Sequence, residues 1–271
     1  VSASIPIIEA KNVSKSYGRI AALSDISTSV RAGEVTCVLG DNGAGKSTFI
    51  KILAGFHRHD AGELLLDGAP VVFENPRAAL DAGIATLYQD LALLPLMSVW
   101  RNFFLGREPT RGMPPLRRLD VAKAKKVCLE ELRLLGINLK DADQLVGTMS
   151  GGERQAVAIA RAIHFGARII ILDEPTAALG VKQSGIVLRN VAEARDRGLG
   201  IVLITHNPRH AYLVGDRFLV LNLGRSLGEF GRADVTEVEL TALMAGGTEF
   251  DELRTALRAA PQQAQQAQRL G

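Results

Sequence analysis

Gly40-Asp41-Asn42-Gly43-Ala44-Gly45-Lys46-Ser47-Thr48 follows an apolar run, Val35 to Leu39, and precedes a helical pattern, Phe49 to Ala54. Strand, glycine-rich loop, Lys-Ser and helix in this order form the phosphate-cradling arrangement. Glycines without a Cβ let the backbone wrap an anion, so that successive N–H groups and the positive end of the following helix point at it. Lys46 then brings a point charge to the β and γ phosphates of a nucleotide such as ATP, and Ser47 offers a hydroxyl to Mg²⁺. The loop therefore predicts an α/β chain built on a mainly parallel sheet.

Three further apolar stretches agree: Ile84 to Tyr88, Ile169 to Leu172 and Ile201 to Ile204 read as strands buried on both faces. In open α/β sheets ligands bind at the carboxyl ends of the strands. Those ends carry Gly40, Gln89, Asp173-Glu174 and Thr205-His206, each able to serve a phosphate, a magnesium ion or a water. Asp173 suits the shell of Mg²⁺. Glu174, just past the strand end, suits a general base that polarises an attacking water.

Around this centre, Pro6 to Val30 reads as two or three short strands with turns at Gly18 and Gly33. Gly62 to Val72 reads as a hairpin turning at Asp67-Gly68. Together they predict an antiparallel β layer. From about 91 to 166 the periodicity is helical, with one helix bounded by Asp120 and Gly136, so a helical subdomain is expected. The Pro- and Arg-rich segment Arg107 to Arg118 is expected as an exposed loop. After Gly246 the pattern allows one more helix and then a Gln-rich tail over 248–271.

Met149-Ser150-Gly151-Gly152-Glu153-Arg154-Gln155 leads into a helical pattern, Ala156 to His164, with Ser150 as its cap. Two glycines leave this helix start free of side chains, a second candidate anion site, although a cap and turn alone would explain them. Ser150-Gly151-Gly152-Glu153, placed between the phosphate loop and Asp173-Glu174, resembles the signature motif of ABC ATPases. The resemblance runs from about Ile8 to Gly246 and implies a single ATPase domain over 1–247. It further implies Tyr17 stacking on adenine, Gln89 contacting Mg²⁺ and sensing a transport partner, and His206 holding the γ-phosphate. Taken singly, Tyr17 also fits a turn aromatic, Gln89 a strand-end polar residue and His206 a hydrogen-bonded loop histidine.

Departures from the family pattern are Met149 for leucine, Glu153 for glutamine and Gly180 for aspartate in Ala177-Ala178-Leu179-Gly180. The stretches Pro175 to Lys182 and Asn102 to Glu108 resemble the ATPases of simple-sugar importers, in particular the single-domain fructose-type ones. That resemblance implies a homodimer closing on two ATP, each held by the loop of one copy and Ser150 to Gly152 of the other. It also implies membrane permease subunits as partners, a solute-binding protein indirectly, and a place on the cytoplasmic face of the membrane. For the permease contact the apolar candidate is Leu93 to Phe104, with Met97, Trp100 and Phe103, which core packing would explain equally.

Composition narrows the alternatives. The 271 residues are 47% hydrophobic, enough for a sizeable core, and no apolar run reaches the roughly 20 residues of a membrane span. The opening Val1-Ser2-Ala3-Ser4-Ile5-Pro6 lacks a basic segment followed by a long apolar one, so no export signal is expected. A net charge of +3, from 32 basic and 29 acidic residues, gives no electrostatic case for nucleic acid. Cys37 and Cys128 have no metal-ligand or disulfide spacing. The rival from another class is a non-transport ABC ATPase of translation, DNA repair or cluster assembly. A further rival, a nucleotide-binding regulatory module without turnover, is opposed by the presence of Glu174 and His206.

Overall fold

The computed structural model describes residues 5–113, 116–177 and 179–245; Ala178 and the expected C-terminal helix and tail over 248–271 lie outside the described residues. The chain opens with β1 (Ile8–Tyr17), β2 (Ile20–Val30) and β3 (Val35–Leu39). It continues through α1 (Lys46–Leu53), β4 (Ala61–Leu66), β5 (Ala69–Pro70), α2 (Pro76–Asp81) and β6 (Ile84–Leu87). Then come α3 (Val99–Phe104), β7 (Thr110–Arg111), β8 (Arg118–Leu119), α4 (Val121–Leu134) and α5 (Gly151–His164). The last stretch holds β9 (Ile169–Asp173), α6 (Val181–Asp196), β10 (Gly200–Thr205), α7 (Pro208–Val214), β11 (Arg217–Asn222), β12 (Arg225–Gly231) and α8 (Glu237–Met244).

Ten strands form one sheet in the order β5-β4-β1-β2-β12-β11-β3-β10-β9-β6. From β6 to β11 the neighbours are parallel, and every residue of β3 and β10 is buried, as a sheet covered on both faces requires. From β2 to β5 the neighbours are antiparallel, giving the expected β layer. One face packs α3 to α6 through Phe103, Leu132, Ile159 and Val191. The other packs α1 and the antiparallel layer through Phe49, Ile50, Ile26 and Leu64. Among the described residues no helix is long and apolar enough to cross a membrane.

Several expectations change. Pro6 to Val30 forms two long strands, not several short ones, because register shifts at Ala10 to Ser16 let β1 bend while staying paired with β2. The helix after the phosphate loop begins at Lys46, ahead of Phe49. Trp100 and Phe103, 3% and 0% exposed, belong to the core. The apolar residues that this stretch does expose are Leu94 and Leu96. Arg107 to Arg118 carries the small β7–β8 hairpin, with Met113 and Leu116 exposed.

Candidate functional site

The phosphate loop is shaped by what surrounds it. At Gly40, φ is +146° and a Cβ would stand 2.3 Å from the Leu221 carbonyl oxygen. At Gly45, φ is +102° and a Cβ would meet Leu23 Cδ2 at 2.8 Å and the Ala22 oxygen at 2.9 Å. Gly43, at φ +83°, faces open space, so only its backbone requires glycine. Lys46 is buried across the loop, where Nζ donates to the carbonyls of Gly40 (2.6 Å) and Asp41 (3.0 Å). Burial pulls its pKa below the ordinary lysine value, against the opposing charges of Glu174, Asp41 and Asp173. Gly45 caps α1 with no side-chain acceptor and the first turn holds no acid, so the leading amides of the helix are left for an anion.

Opposite stand Asp173, the last residue of β9, and Glu174, which takes the left-handed conformation at φ +48°. The Glu174 amide donates to the Ile204 oxygen at 3.0 Å, which fixes the turn against β10. Its Oε1 lies 2.9 Å from His206 Nδ1, while Oε2 is buried without a hydrogen-bond partner among the described residues. Burial raises the Asp173 carboxyl above the usual range, and the Glu174 charge adds to this.

A cavity of about 500 Å³ separates the two walls, lined by Asp41 to Thr48, Asp173, Glu174, Ile20 to Ala22, Leu223 and Gly224. Its volume suits a nucleotide. The Ser47 hydroxyl and the Asp173 carboxylate are hard oxygen donors beside the phosphate cradle, and among the described residues the cations acting on Asp173 are Lys46 and Lys51. That donor set fits Mg²⁺, which needs only one or two protein ligands when phosphate supplies others.

The remaining predicted residues do not line this cavity. Gln89 lines a neighbouring cavity of about 430 Å³ with Gly151, Arg154 and Gln155; Glu174 lines both cavities. Tyr17, half-exposed at the end of β1, meets the His57 ring edge-on at 5.7 Å. Ser150 and Glu153 form a reciprocal capping box, with the Ser150 amide donating to Glu153 Oε2 at 2.8 Å. Gly151 and Gly152 also have a packing role, since a Cβ would meet Leu179 Cδ2 at 2.6 Å and Ile186 Cγ2 at 2.9 Å. Ile20 to Ala22, Leu223 and Gly224 escape a motif reading, because they reach the site through the β1–β2 turn and the β11–β12 hairpin. The Gly224 amide ties that hairpin to the Ala44 oxygen at 3.0 Å.

A profile of the family described as ABC transporter matches residues 23–177, more than half of the chain. The chain belongs to the ABC transporter family. The cassette is 45% identical over 248 residues to a fructose import ATP-binding protein of Rhizobium meliloti, covering 90% of this chain and 95% of the relative. It is 41% identical over 238 residues to a xylose/arabinose import ATP-binding protein of Sulfolobus acidocaldarius, with 88% and 93% covered. A ribose import ATP-binding protein of Burkholderia cenocepacia is 40% identical over 242 residues, 89% of this chain but 47% of the relative, so the chain spans about half of that protein. Among solved structures, an ATP-binding cassette of an ABC transporter in its ADP conformation superposes with a TM-score of 0.76 at 24% identity, covering 90% and 96%; this likeness concerns the fold alone. A dimeric post-hydrolysis cassette bound to ADP and Pi gives a TM-score of 0.66 at 26% identity, covering 83% and 98%.

Proposed function

We propose that this cassette is the ATP-hydrolysing subunit of an importer for a small solute, a simple sugar by analogy with its relatives, and that it works on a separate membrane permease at the cytoplasmic face. The observation that carries the reading is the 500 Å³ cavity with Lys46 and the loop amides on one wall and Asp173-Glu174 on the other. Lys46 leaves the Gly40 and Asp41 carbonyls for the β and γ phosphates, while the leading amides of α1, Lys46 to Thr48, face the anion. Ser47 and Asp173 are the residues that would hold Mg²⁺, whose charge would offset that of the phosphates, and Gln89, in the neighbouring cavity that Glu174 also lines, is assigned to sensing the transport partner.

Glu174 acts as the general base. Glu174 lines the cavity with Oε1 on His206, and a turn of the carboxylate that brings the uncommitted Oε2 to the cavity would present its lone pairs to the attacking water. Water oxygen bonds to the γ-phosphorus, the bond from that phosphorus to the β–γ bridging oxygen breaks, and the water proton passes to the carboxylate. His206 steadies both Glu174 and the γ-phosphate. Ser150, Gly152 and Glu153 do not line the cavity of their own chain, so their anion-binding helix end is assigned to the nucleotide of a second copy. Tyr17 is assigned to the adenine.

Calorimetric titration of ATP with magnesium, followed by phosphate release, tests the reading. Binding heat and turnover are expected, with turnover abolished in Lys46→Ala. Absence of binding to the folded protein, or equal rates in wild type and Lys46→Ala, would overturn it.

A further inference from the structure

The segment that carries Glu174 is bound to the segment that carries His206 at two places. The first is the Glu174–His206 contact. The second lies two residues further on one side and four on the other: Thr176 Oγ1 stands 3.0 Å from Nδ1 of His210. His206 stands just before the Asn207 cap and His210 lies in the first turn of α7, and their imidazoles contact Glu174 and Thr176 of the same loop. Thr176 is 8% exposed, and Asn207, whose side chain accepts the His210 amide at 3.2 Å, anchors the turn from which His210 projects. The loop needs such an anchor. Glu174 holds a left-handed backbone that costs a non-glycine residue energy, and Pro175 offers no amide with which to tie the loop down.

We propose that His210 is a positioning residue for hydrolysis, which acts through the Thr176 hydroxyl to hold the Glu174 carboxylate at its catalytic station. This inference rests on the reading of Glu174 as the general base. Burial, with the nearby His206 adding to it, lowers the His210 pKa and favours the neutral ring. A neutral ring bonds to a hydroxyl in either tautomer, because the hydroxyl can donate or accept. Neither Thr176 nor His210 lines the nucleotide cavity, so their loss should leave ATP affinity alone and slow the chemical step.

The test compares phosphate release by the full chain for wild type, Thr176→Val, Thr176→Ser, His210→Leu, His210→Asn and the double variant Thr176→Val/His210→Leu. Thr176→Val and His210→Leu are each expected to lower kcat on the order of tenfold, with KM for ATP within about twofold of wild type. Thr176→Ser and His210→Asn, which keep a polar atom at the Oγ1 and Nδ1 positions, should recover most of kcat. The double variant should be no slower than the slower single one, since both break one bond. Wild-type kcat in Thr176→Val would overturn the proposal, as would losses that multiply in the double variant, or a raised KM at unchanged kcat. Should His210→Leu fail to fold by thermal melting, the Val and Ser replacements of Thr176 decide alone. A wild-type chain that binds ATP without turnover would overturn the Glu174 reading and this inference together, whereas wild-type turnover with insensitive variants removes only the inference.

Discussion

Gly40 and Gly43 share a motif and a positive φ, yet they answer to different constraints. An alanine at 43 meets nothing within 4 Å and suffers only the backbone cost, about 1 kcal/mol. At 40 the same methyl would be driven into the Leu221 carbonyl, a backbone atom in the middle of the sheet, so strain and displacement add and the loss should exceed about 3 kcal/mol. Urea unfolding of Gly40→Ala and Gly43→Ala measures this directly; equal midpoints would show that the loop can move off β11 at little cost. Glu174 poses the opposite case. It places a second carboxylate beside Asp173, whose own carboxyl is raised by burial and by that neighbour, and leaves Oε2 buried without a partner among the described residues. Glu174→Gln removes the repulsion and keeps an oxygen for His206, so it should melt above wild type while phosphate release falls at least about a hundredfold. A lower melting temperature would mean that the carboxylate stabilises the fold rather than straining it.

At the scale of elements, each segment that the sequence makes legible is decided by its neighbours along the chain. β3, β9 and β10 are short, mostly apolar runs; α4 carries its cap at Asp120 and its stop at Gly136; the β4–β5 hairpin turns at Asp67-Gly68. What stayed illegible depends on distant contacts. The β11–β12 hairpin turns through Leu223 at φ +45° and Gly224 at φ +77°, where a leucine stands in a position that asparagine or glycine usually fills, so the turn has no local signature. With it went the two site residues that it delivers. Trp100 and Phe103 read equally as core or as contact surface, and packing against α4 and α5 settles them as core. The β4–β5 hairpin also shows how elements distant in sequence are tied: Arg168, just before β9, holds both oxygens of Asp67 at 2.8 and 2.5 Å. The guanidinium keeps the Asp67 carboxyl below its usual range. The stabilisation is therefore present above the ordinary carboxylate pKa of about 4 and is lost as pH falls through the lowered value in the folded chain. Both partners are about half exposed, so solvent screening limits it to about 1 kcal/mol or less. Asp67→Asn should melt slightly below wild type at pH 7, and the gap should close at acidic pH; a gap that widened on acidification would refute the assignment.

For the whole molecule, the decisive question is whether one chain can complete a nucleotide site. The cavity beside the phosphate loop contains no residue of the Ser150–Glu153 cap, and the two helix starts able to receive phosphate, those of α1 and α5, line different cavities. Two copies placed head to tail would bring the α5 start of each to the loop of the other, forming two equivalent sites by symmetry. Complementation separates this arrangement from a site closed within one chain. Lys46→Ala empties the cradle of its cation. Ser150→Asp keeps a good helix cap, so α5 should still form, but sets a negative charge where phosphate would approach. Each variant alone should be inactive, since both sites of its dimer carry the lesion. In an equal mixture, half of the dimers pair one variant with the other, and in each of these one site carries both lesions while the second carries neither. Phosphate release should then recover to about a quarter of the wild-type rate if the sites turn over independently. A site built within one chain predicts no recovery at any mixing ratio, because every loop and every α5 start would meet its partner on a chain already carrying one lesion.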